Sequence, residues 1–164
     1  MSQVDFLLEQ LSFTYDQEDW YPPLKPALEG VTAEIASWRP AGAAVNSIWE
    51  TVNHLLYYKE RLIQRIHGVD PTNPAANNDE TFSSQAETLD EAAWQATLNR
   101  VDHVYQELKN QVSTLSEDDL DRPSPSQPLR KQIMSIINHD AYHIGEIIQI
   151  RKLHGSWPAR RYFD

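Results

Sequence analysis

Trp94, Leu98, Val101, Tyr105, Leu108 and Val112 recur at intervals of 4-3-4-3-4, the repeat of a helix and not of a strand. A stripe of that length must be buried against other elements, and three further segments carry partners for it. Residues 2–16 place Val4, Leu7, Leu8 and Leu11 on one face. That helix is expected to stop before Trp20, Pro22 and Pro23, since the proline ring cannot continue it. A helix opening at Asn46 or Ser47 shows capping-box spacing between Ser47 and Glu50, carries Ile48, Val52, Leu55, Leu62 and Ile66, and runs to about His67 before Gly68. The Trp94 stripe belongs to a helix over 88–112, opened by a Thr88/Glu91 capping box, and a last helix spans 129–153 and stops at Gly155.

Four long amphipathic helices bury their stripes most economically as a four-helix bundle, so the chain is expected to be all-α, one domain over residues 1–164. A short helical piece is expected around residues 26–29, followed by an irregular connection through TAEIASWRPAGAAV. Two other connections stand out. Residues 70–87 form a long polar stretch without periodicity, and DRPSPSQPLR, residues 121–130, leads straight into the last helix, where it is placed to form one wall of a site.

The chain has 14 basic and 24 acidic residues, a net charge of −10, which repels phosphate backbones and anionic lipid surfaces. Nucleic acid and membranes are therefore not expected partners. There is no cysteine, so any transition-metal site must be built from His, Asp, Glu and water. The start, MSQVDFLLEQL, lacks the basic and apolar regions of a secretory signal, and no segment approaches the roughly 20 apolar residues of a membrane span. A soluble, cytoplasmic protein is expected.

The stretch NHDAYHIGEIIQIRKLHG puts His139 and His143 four residues apart in an otherwise apolar helix. Such a pair lies about 40° apart around the helix and roughly 6 Å apart along it, close enough to serve one ion. His54 holds a similar rim position on the second long helix. Three neutral imidazoles would leave coordination positions open, as in a catalytic metal site. On spacing alone, such a pair is more often two partly exposed or hydrogen-bonded histidines than a metal site. His67 and His154 sit at helix C-termini, where a cation complements the dipole, and His103 has no partner at ligand spacing.

SIWETVNHLLYYKERLIQRIHG and INHDAYHIGEIIQIRKLHG together resemble the DinB/YfiT-like superfamily of metal-binding four-helix bundles. In that family one histidine comes from the second helix and a His-x-x-x-His-x-Gly-Gln/Glu pattern from the last, matched here by His54, His139, His143, Gly145 and Glu146. Glu146 stands where many relatives carry Gln. The resemblance implies that His54, His139 and His143 bind a divalent metal, Zn²⁺ or Ni²⁺ being expected, with water in the remaining positions. It is also compatible both with thiol-dependent transfer to a small electrophilic substrate, with a low-molecular-weight thiol as cosubstrate, and with hydrolysis by a metal-bound water, the transfer being favoured. Metal-dependent hydrolysis and a noncatalytic, metal-binding dimeric bundle are the alternatives.

Asp140 falls within an isoleucine stripe, where an unpaired carboxylate is costly. It is expected to hydrogen-bond a ligating histidine or, preferentially, to pair structurally with Arg, Tyr or a backbone N–H; a catalytic base is the lesser alternative. Glu50 and Tyr58 flank His54 by one turn on either side and are weaker catalytic candidates. Gly145 suggests close approach of another helix, or space needed beside His143. Wide apolar stripes, with Trp20, Tyr21, Trp38, Trp157 and Tyr162 as exposed aromatics, suggest a homodimer.

Overall fold

A computed structural model describes residues 1–42, 44–72, 74–82, 89–124 and 127–159. Seven α-helices occur among them: α1 (Gln3–Tyr15), α2 (Leu24–Leu28), α3 (Ala33–Ser37), α4 (Ile48–Ile66), α5 (Glu91–Ser113), α6 (Glu117–Asp121) and α7 (Leu129–His154). There is no strand among the described residues beyond one isolated bridge between Pro123 and Pro128. The four long helices form the bundle. Helix α4 packs between α5 and α7, and α1 closes the ring by packing against the same two.

Local chemistry sets most of the helix ends. Ser47 and Glu50 form the expected capping box on α4, with Glu50 N to Ser47 Oγ at 3.2 Å and Ser47 N to Glu50 Oε2 at 2.7 Å. Gly155 closes α7 in the left-handed conformation, φ 83°, which a side chain would disfavour. Helix α5 begins at Glu91 with Asp90 as its cap, so the Thr88/Glu91 box does not open it; Thr88 itself lies outside the described residues. Freed from that box, Glu91 accepts from Ala33 N at 2.7 Å and ties α3 to α5.

The stretch TAEIASWRPAGAAV is not wholly irregular. It contains α3, capped by Thr32, which accepts from Ile35 N, and its Ala33 and Ala36 are buried. Helix α6 was not apparent from apolar periodicity; a Ser116/Asp119 capping box opens it, and Leu120 anchors it in the core. Around these elements one hydrophobic cluster unites Leu11 of α1, Leu55 of α4, Trp94 and Leu108 of α5, and Ile133 and Ile144 of α7. Trp20 is fully exposed at 94 %, whereas Tyr21, Trp38 and Trp157 pack partly against the core, so these aromatics do not make one exposed patch. Tyr162 lies outside the described residues. No described helix is long and apolar enough to cross a membrane.

Candidate metal centre

Helices α4 and α7 run antiparallel: His54 meets His139 near one end of their seam and Arg65 meets Gln132 near the other. The seam brings three imidazoles together. His54 Nε2 lies 2.9 Å from His139 Nε2, which lies 3.1 Å from His143 Nε2, and ligand atoms of all three rings fall within 4.8 Å of one another. His54 and His143 are buried and His139 is half-buried.

The outward nitrogens decide what the inward ones are. Thr81 Oγ1 donates to the carbonyl of Asn78 at 2.5 Å, so its 2.5 Å contact with His54 Nδ1 must be accepted from the ring. His54 then carries its proton on Nδ1 and presents a bare Nε2. His143 Nδ1 lies 2.6 Å from Glu146 Oε2; an ionised carboxylate only accepts, so a neutral His143 also presents a bare Nε2. A proton on His139 Nε2 points at one of these lone pairs, whereas a cation at their centre takes all three. Buried His139 Nδ1 has no hydrogen-bond partner among the described residues. The donor set fits a borderline ion such as Zn²⁺ or Ni²⁺, and three ligands leave a position for a further one.

Charge and packing hold two of the three rings, His54 and His139, below the ordinary imidazole range. Burial, with smaller contributions from the His143 and Lys59 charges, lowers His54 to about 4. Burial, aided by His143, His54 and Lys59, lowers His139 to about 3. Phe82 stacks on the His54 ring with centroids 3.8 Å apart and planes 10° apart, and Tyr58 meets the His54 and His139 rings edge-on at 5.0 and 5.3 Å. The 3₁₀ turn Asp79–Phe82, within the long polar connection, thus supplies both Thr81 and Phe82. No periodic signal in the sequence marks either residue.

Asp140 points away from the imidazoles' shared centre into a buried polar node. Its Oδ1 accepts from Lys59 Nζ, while Oδ2 accepts from Tyr105 Oη at 2.7 Å and Thr14 Oγ1 at 3.3 Å. Each of the four long helices contributes one residue, and both members of the ion pair are fully buried. Burial pushes the Tyr105 hydroxyl well above its usual range, with the Asp140 charge adding to it, so it remains a donor. Burial lowers Lys59 while the Asp140 carboxylate opposes that shift. Lys59 was readable as an anomaly, a cation between Leu55 and Leu62 on the apolar stripe of α4.

Glu50 is occupied at the start of α4, where Ser47 N and the Arg39 guanidinium take its two oxygens. Tyr58 does border the histidines and donates to Asn78 Oδ1 at 3.1 Å. A Cβ added at Gly145 would meet open space, so no neighbouring helix requires that glycine. His103 is exposed beside Glu107, His67 caps α4, and His154 ends α7 against Trp38, all apart from the trio.

A cleft of about 410 Å³ opens along the α4–α7 seam, with His139 and Tyr58 in its wall. Asn78 from the polar connection and Gln127 from the proline-rich one also line it.

An all-helical bundle with three inward histidines and an adjoining cleft defines a class of candidate metal-binding proteins. Residues 23–147, more than half of the chain, match the family model of the DinB superfamily, and the chain belongs to that superfamily. No curated protein and no solved structure matches it.

Proposed function

We propose that the protein is a metal-dependent enzyme that joins a small thiol to an electrophilic substrate, with His54, His139 and His143 holding a Zn²⁺- or Ni²⁺-like ion. The observation that carries this is the convergence of the three imidazoles on one point, with His139 also forming part of the cleft wall. When bound, such an ion supplies positive charge that favours deprotonation of a ligating thiol or water near neutral pH. Thr81 and Glu146 orient the His54 and His143 rings, while Phe82 and Tyr58 pack around them and limit access of water.

The nearby carboxylates favour a thiol over water as nucleophile. Asp140 is committed to Lys59, Tyr105 and Thr14, and Glu146 to His143, so neither stands ready to accept a proton from attacking water. In the transfer, the thiol sulfur forms a bond to the electrophilic carbon and the thiol proton passes to solvent; the bonding electron pair of the broken bond goes to the leaving atom, a halide that departs or an epoxide oxygen that stays attached and takes up a proton from solvent. The chain has no cysteine, so the thiol arrives as a cosubstrate. A cytoplasmic location, where small thiols are kept reduced, suits that requirement.

The test is to incubate metal-loaded protein with a haloarene or an epoxide and one thiol at a time, following thioether formation against a His139→Ala control. Acceleration by the intact protein alone supports transfer. Metal-dependent ester or amide cleavage in water, without thioether formation, replaces it with a hydrolase; neither activity in metal-loaded protein leaves a noncatalytic metal-binding bundle.

A further inference from the structure

The cleft beside His139 has an ordered chemistry. At one end stand His139 and Tyr58; Leu62 and Ile136 form an apolar middle; Arg65 and Lys131 lie toward the other end. In a chain of net charge −10, these two cations line a cleft to which no described carboxylate contributes. Arg65 is half-buried, its Nη1 donating to Gln132 Oε1 at 3.1 Å, and its buried Nε has no hydrogen-bond partner among the described residues. Lys131 is exposed.

We infer that this cleft selects an elongated anionic cosubstrate, a thiol bearing a carboxylate at the end remote from sulfur, with Arg65 and Lys131 receiving the carboxylate. The assignment of sulfur to the histidine end rests on the proposed thiol transfer; the cationic end is independent of it. Helix geometry sets the length. Lys131 precedes His139 by eight residues, about 12 Å along α7, and Arg65 follows His54 by eleven, about 16 Å along α4. Long cationic side chains can reach back toward the histidines, so the preferred separation between sulfur and carboxylate is roughly 8–12 Å. Leu62 and Ile136 favour an apolar segment between the two ends, and Arg65 offers a planar donor array suited to a carboxylate.

A molecular ruler tests the inference. Co²⁺-loaded protein is titrated with 8-mercaptooctanoate, its uncharged counterpart 8-mercaptooctanol, and the short pair 3-mercaptopropionate and 2-mercaptoethanol. Thiolate-to-cobalt absorption reports arrival of sulfur at the metal, and calorimetry on metal-free protein reports binding of the long acid and alcohol without it. The long acid is expected to bind about tenfold more tightly than the long alcohol in both experiments, the scale of charge-assisted hydrogen bonds to a carboxylate. The short acid is expected to show no such advantage over its alcohol. Lys131→Glu, at an exposed position, and Arg65→Gln should each reduce the long acid's preference.

Equal affinity for the long acid and alcohol, no binding of either to metal-free protein, or a preference unchanged in both variants would overturn the inference. Cobalt absorption without an acid preference would overturn the cleft assignment and leave metal–thiol chemistry standing. An acid preference in metal-free protein, lost in the variants, would uphold the cationic end even if no thiol perturbed the cobalt spectrum; the thiol assignment would then fall separately.

Discussion

Glu146 Oε2 lies 2.6 Å from His143 Nδ1, within one turn of α7, and this contact sets which nitrogen of the imidazole faces the other two rings. Glu146→Ala removes both the acceptor and its charge, and should weaken metal affinity by about 10–100-fold. Glu146→Gln retains an acceptor oxygen and should lose less. Competition against a chromophoric chelator measures both; three equal affinities would show that Glu146 does not tune the site.

The ion pair between Lys59 and Asp140 holds α4 to α7 beside the histidines. Replacing Lys59 with Met, or Asp140 with Leu, strands a buried charge and should destabilise the fold by about 3–5 kcal/mol. The double change removes both charges and should cost less than either single change. Urea unfolding of the metal-free proteins measures the coupling, and strictly additive losses would contradict it.

Acid should weaken the metal-free fold through the same two rings. Folding lowers His54 to about 4 and His139 to about 3, whereas an imidazole in the unfolded chain titrates near 6.5. Between those values the unfolded chain binds more protons, so this contribution to stability is complete above about pH 6.5 and declines as pH falls toward 4 and 3. Urea midpoints from pH 8 to pH 4 should fall more steeply for the native sequence than for a His54→Gln/His139→Gln double variant. Parallel declines would show that these imidazoles do not carry the acid sensitivity.

Much of this architecture was legible because periodic burial and capping acted together. The stripe from Trp94 to Val112 and the Ser47/Glu50 box marked long helices, and the family pattern singled out His54, His139 and His143. Helix α3 escaped because five residues carry little periodicity and its stability depends on tertiary ties such as Ala33 N to Glu91. Thr81 and Phe82 escaped for a related reason: a polar connection delivers them to His54, and helical spacing cannot describe a loop's return to the bundle. Asp140 was legible as a carboxylate needing a partner and Lys59 stands out as a cation on an apolar stripe, but that the two pair emerged only when α4 and α7 were brought together.

Metal content tests the central claim most directly. Protein purified without a histidine tag, saturated with Zn²⁺ and freed of excess ion, should retain about one metal per chain, the stoichiometry of a single three-ligand site. His54→Ala, His139→Ala and His143→Ala should each lose most of it, while His67→Ala and His103→Ala should retain it. Full, tight occupancy in any of the first three variants would remove that histidine from the site, and full occupancy in all three would contradict a metal centre built between α4 and α7.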